Sequence, residues 1–95
     1  MSTSYIGSKT AAENGADFIL ATGASKTFFT IPALGANESL RLEIKDAAGD
    51  SNYVTVGDLA YNGQSVGVVT ARGAGNSKFR VVKSLTSVAT EVFFD

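Results

Sequence analysis

Between Ser39 and Lys45 the apolar residues Leu40, Leu42 and Ile44 alternate with Arg41, Glu43 and Lys45. Period two is the mark of a strand with one dry face and one wet face. From Asp17 onward the chain divides in the same way into short runs of strand length, at 17–21, 26–32, 39–46, 52–57, 64–72, 77–83 and 86–94. Turn-forming clusters separate them: Thr22-Gly-Ala-Ser, Leu34-Gly-Ala-Asn, Ala48-Gly-Asp-Ser, Asn62-Gly63, Gly73-Ala-Gly-Asn and Leu85-Thr-Ser. Asn62-Gly63 is the strongest hairpin signal, since both central residues of a type I′ turn need positive φ. It is expected to join a short strand at Leu59–Tyr61 to the run 64–72. In that run Val66, Val68 and Val69 surround Gly67, which favours a strand with a bulge or a close backbone approach at the glycine.

Residues 1–16 have no such rhythm. They are small and polar, with Tyr5 and Ile6 as the large apolar pair ahead of Phe18, and a helix over 9–16 would be stopped by Asn14-Gly15. The expectation is an extended N-terminal arm over 1–16, either frayed or lying on a neighbouring subunit. A single all-β domain follows over 17–95, a small antiparallel sandwich or barrel of about seven short strands.

Composition narrows the function. At 95 residues a domain buries roughly 64% of its unfolded surface. There is no Cys to staple such a thin core and no His to join a structural zinc site, so added stability is expected from self-association or docking on a larger assembly. Eight basic and nine acidic residues, without a basic run, make nucleic acid an unfavourable partner. The chain shows neither a signal-peptide pattern nor an apolar run long enough to span a bilayer, and the expectation is a soluble protein made in the cytoplasm with no membrane partner.

Local motifs offer little chemistry. Gly23-Ala-Ser-Lys26-Thr27 resembles the tail of a phosphate-binding loop, but Ser25 and Leu20 occupy the positions where that loop needs glycine. Asp46-Ala-Ala-Gly-Asp50-Ser-Asn52 gathers oxygen atoms without the ligand spacing of a calcium loop. Asp46, Asp50 and Asp58 read as turn acids capping their own backbone rather than an acid–base pair. Asn37-Glu-Ser39 fits a glycosylation acceptor and reads as turn chemistry. No catalytic residue, cofactor or metal ligand is assigned.

The aromatic residues say more. Phe18, Phe79 and one of Phe28 and Phe29 belong to apolar strand faces. Adjacent strand residues point to opposite faces, so in each of the pairs Phe28/Phe29 and Phe93/Phe94 one ring must leave the domain's own core. Those four residues, with Tyr5 and Ile6 on the arm, are the candidate assembly contacts. Tyr53 and Tyr61, beside glycine-rich turns, are candidates for stacking on a sugar ring together with the loops 48–52 and 73–77.

The run Thr27-Phe-Phe-Thr-Ile-Pro-Ala-Leu-Gly-Ala-Asn-Glu-Ser-Leu-Arg-Leu-Glu-Ile-Lys-Asp-Ala-Ala-Gly-Asp-Ser-Asn-Tyr-Val-Thr-Val resembles a module that recurs in bacteriophage tail-fibre, tail-spike and virion-surface proteins. There a Pro-Ala turn leads to a strand ending in Lys-Asp-Ala-Ala-Gly, followed by a strand with alternating Val or Ile and Thr. Such modules are normally embedded in long trimeric chains. A chain of this size is similar instead to the decoration or cement proteins of phage heads. The resemblance implies a structural protein without enzymatic activity that binds the major capsid protein on the outside of the virion, as a homotrimer. The alternative it implies is a head-fibre or tail-fibre module that binds a host receptor or glycan.

Overall fold

The computed structural model describes residues 2–45, 52–71 and 77–95. They form an all-β sandwich of nine strands: β1 (Thr3–Lys9), β2 (Glu13–Asn14), β3 (Phe18–Leu20), β4 (Ser25–Ile31), β5 (Ser39–Lys45), β6 (Tyr53–Tyr61), β7 (Val66–Thr70), β8 (Ser77–Lys83) and β9 (Thr90–Phe94). One sheet has the order β1-β9-β4-β7; the other has β2-β8-β5-β6, with β3 also pairing to β8. All pairings are antiparallel.

The alternation read at 39–45 sets the faces of the second sheet. Leu40 and Leu42 are buried, and opposite them on β8 lie Lys83 and Val81, with Phe79 opposite Ile44. The first sheet supplies Phe28, Val69 and Val92 to the same core. Glu43 departs from the expected wet face. Its side chain lies on the outer side but is only 7% exposed, because Arg80 Nε reaches one carboxylate oxygen at 2.7 Å and Arg41 Nη2 the other at 3.0 Å. Burial pushes the Glu43 carboxyl up, yet the hydrogen bonds and charge of the two guanidinium groups outweigh it and hold the carboxyl below its ordinary range.

Several boundaries differ from the sequence reading. The segment expected to be an arm contributes β1 and β2, one to the edge of each sheet. Register shifts on either side of Ile6 mark bulges in β1, and they let neighbouring Tyr5 and Ile6 both turn inward. That is why the segment shows no period of two. β6 is one continuous strand rather than two, with irregular register against β5 around Gly57. The run 86–94 is a strand over Thr90–Phe94 alone, preceded by a bend in which the Thr86 and Thr90 hydroxyls both donate to the Val88 carbonyl at 2.9 Å. The turns at Ala48-Gly-Asp-Ser and Gly73-Ala-Gly-Asn, with Asp46 and Asp50, lie outside the described residues.

Asn62 and Gly63 do take positive φ, 38° and 85°, and Gln64 N–H closes the turn on the Tyr61 carbonyl at 3.1 Å. The turn does not join two neighbours of one sheet. It carries the chain from β6 in the second sheet to β7 at the edge of the first. Gly67 then passes close to β6: a Cβ placed there would lie 2.6 Å from the Leu59 carbonyl oxygen and 2.8 Å from the Leu59 Cβ. Gly67→Ala is therefore expected to cost about 1–3 kcal/mol, because backbone must move to admit the methyl. Gly7→Ala, with nothing within 4 Å of the added carbon, should change stability by under about 0.5 kcal/mol. Urea unfolding of both variants checks the contrast.

Two charged residues tie the loops at one end of the sandwich. The Glu38 carboxylate accepts from Gly35 N–H at 2.7 Å, Ser87 N–H at 2.9 Å and the Ser87 hydroxyl at 3.2 Å. The Ser87 and Gly35 amides hold this carboxyl below its ordinary range. Asn37, in the turn chemistry expected at 37–39, has φ 62° and donates its N–H to Asn62 Oδ1 at 2.8 Å. Lys83 is fully buried, and its ammonium donates to the Ala11 carbonyl at 3.0 Å and to the Ser84 carbonyl and Thr86 Oγ1 at 3.1 Å each. Three donors meet three acceptors.

Candidate assembly surface

The outer face of the first sheet is built by alternation. On β4, Phe28 and Thr30 are buried, so Phe29 and Ile31 project to the other side; on β9, Thr90 and Val92 are buried and Phe93 projects outward. On β7, Gly67 and Val69 face inward while Val66 and Val68 remain 55% exposed. Register aligns these positions. Phe29 lies opposite Phe93 on one side and Val66 on the other, and Ser4 of β1 lies beyond Phe93. The Phe29 and Phe93 rings stack with centroids 5.4 Å apart and planes 16° from parallel. An apolar band of Phe93, Phe29 and Val66, flanked by Ile31 and Val68, thus crosses the sheet. Its border is polar, with Thr27 opposite Val68 and Glu91 opposite Ile31, the Glu91 carboxylate accepting from the Ser4 hydroxyl at 2.7 Å.

The six candidate contacts separate accordingly. Phe29 and Phe93 are brought together on the outside. Phe28 is fully buried, Ile6 is 1% exposed opposite Val92, and Phe94 packs at the rim of the core with the Lys26 ammonium 4.1 Å from its ring centroid. Tyr5 sits edge-on to Phe18, Phe28 and Phe94; its hydroxyl donates to the Ala16 carbonyl and accepts Val81 N–H at 3.1 Å. Burial pushes this phenol up from its ordinary value. Tyr5, Ile6, Phe28 and Phe94 are thus engaged within the domain. Ile31, Val66 and Val68 join the surface without having been singled out from sequence, although Val66 and Val68 share the parity opposite to the inward Gly67.

The outer face of the second sheet has another character. Arg80 lies 3.7 Å over the Tyr53 ring, the Tyr53 hydroxyl donates to Asp17 Oδ1, and Lys45 Nζ is 3.6 Å from Asp17 Oδ2. The hydrogen bond from Tyr53 holds the Asp17 carboxyl low and pushes the phenol up. One face of the Tyr53 ring is therefore already stacked on a guanidinium. Tyr61, half exposed at the Asn62-Gly63 turn, lies opposite Ser39. Asp58 lies opposite Arg41 on β5. Among the described residues no three of His, Cys, Asp and Glu converge, and no helix is long and apolar enough to cross a membrane. Compared with known proteins, the chain matches no protein family, no curated sequence and no solved structure.

Proposed function

We propose that the chain is a structural virion protein, a decoration or cement protein that binds the outer surface of a bacteriophage major capsid protein lattice and braces the head against internal pressure. The observation that carries this reading is the stacked Phe29–Phe93 pair in an outward apolar band, on a domain whose core already holds Tyr5, Phe18, Phe28, Phe79 and Phe94. Contiguous apolar surface rimmed by polar groups marks a protein-binding site, and aromatic residues near the centre of such a patch contribute most of the binding free energy. The likeness of residues 27–56 to phage virion-surface modules supports the same class. The glycan-binding alternative is weaker on Tyr53, whose ring and hydroxyl both have partners within the domain.

Capsids lacking the protein, incubated with purified wild type, Phe29→Ser and Phe93→Ser, test the proposal. Each substitution should weaken capsid binding by about 2–4 kcal/mol while the circular dichroism spectrum keeps its β-sheet form. Undiminished binding by both folded variants would exclude this face. Selective binding of wild type to glycans, with none to capsids, would favour the fibre reading.

A further inference from the structure

We infer that β7 is a pairing edge through which two copies of this chain join their first sheets into one, strand against strand, about a two-fold axis. Among the described residues the two sheets of the sandwich have four edges. β1 is interrupted by bulges around Ile6 and ends in Lys9, which pairs with Glu13. β2 is two residues long, and β3, on the same edge of β8, is three. β6 has two register shifts and carries Asp58. Bulges, charge and brevity are the devices by which edge strands avoid pairing with other chains. β7 has none of them. Val66-Gly-Val-Val-Thr70 is uncharged, contains no proline and runs in unbroken register with β4.

Hydrogen-bond phase shows which backbone groups this edge offers. Thr30 N–H donates to the Ser65 carbonyl and Ala71 N–H to the Ala24 carbonyl. With the register of β4 and β7, Ser65, Gly67, Val69 and Ala71 direct their amides and carbonyls to β4, whereas Val66, Val68 and Thr70 direct theirs away from it. Among the described residues β7 has no other strand neighbour. A second β7, laid antiparallel with Val68 facing Val68 of the other copy, meets the groups at 66, 68 and 70 in matching phase and forms about six ladder hydrogen bonds. The occupant is a second copy because the strand is complementary to itself under this operation and, being uncharged, brings no like charges together. The two Val68 side chains then meet on the outer face, with Val66 of each copy opposite Thr70 of the other, so the apolar band that contains Phe29 and Phe93 continues to the joint. Two-fold pairing makes a dimer, not the trimer expected from sequence.

The test is sedimentation equilibrium of wild type, Val68→Pro and Val68→Lys, without capsids. Proline removes the Val68 N–H, which points away from β4 and serves no intramolecular ladder bond, so the fold should survive; lysine keeps that N–H and places like charges opposite each other. Wild type should dimerise, and both variants should be folded monomers. Amide hydrogen exchange at Val66, Val68 and Thr70 should slow with increasing concentration of wild type. A wild type that stays monomeric at millimolar concentration, a trimer, a dimer that persists in either folded variant, or edge amides protected independently of concentration would each overturn the inference. Phe29→Ser leaves the β7 backbone intact, so loss of capsid binding and loss of the dimer are separable.

Discussion

Phe28→Ala should lower the free energy of unfolding by about 3–5 kcal/mol, whereas Phe29→Ala, the next residue on the same strand, should lower it by only about 1 kcal/mol. The Phe28 ring is fully buried and contacts Tyr5 at 5.1 Å, Phe18 at 5.2 Å and Phe94 at 6.0 Å between centroids. Truncating it removes the shared neighbour of three rings drawn from β1, β3 and β9, and leaves a cavity that a sandwich held by strand ladders cannot fully close. Phe29 is half-buried on the outer face between Phe93 and Val66, so its loss uncovers less and leaves no enclosed cavity. Urea unfolding of both variants gives the comparison. Equal losses would mean that the outward rings are part of the folding core and would remove the basis for an assembly surface.

Lys83→Met is the second large effect, expected at about 1–3 kcal/mol at neutral pH. Methionine keeps the apolar stem, but the Ala11 and Ser84 carbonyls and the Thr86 hydroxyl lose their common donor. Burial of the ammonium pulls its pKa below the ordinary 10.5, with the Glu38 charge opposing that shift. Between the lowered folded value and 10.5 the unfolded chain holds more protons than the folded one, and stability contributed by this group therefore rises with pH. The advantage of wild type over Lys83→Met should widen as pH climbs toward 10.5. A gap that narrows over that range would mean that the folded state favours the charged lysine.

The legible part of this fold was local. Alternation over 39–45 identified the buried face of β5, although it missed that Arg41 and Arg80 would cover Glu43. Adjacent aromatics implied one ring on each side of the sheet, and the stacked Phe29–Phe93 pair and buried Phe28 follow that geometry. The close approach expected at Gly67 is present, against Leu59. β1 was hidden because its bulges turn consecutive residues inward, and because the strand that pairs with it, β9, lies at the far end of the chain. The Asn62-Gly63 turn was recognisable, but a turn dictates only that the chain reverses, not which strand it meets afterwards.

Side-chain period and turn chemistry act over a few residues, and by themselves they determined an all-β chain, the two faces of its strands and its points of reversal. Which strands become neighbours depends on hydrogen bonds and burial between segments far apart in sequence. Only the tertiary structure could therefore decide that Tyr5 and Ile6 complete the core, that Lys83 finds acceptors on Ala11 and Thr86, that Phe29 meets Phe93 on the outside, and that β7 stands at an edge.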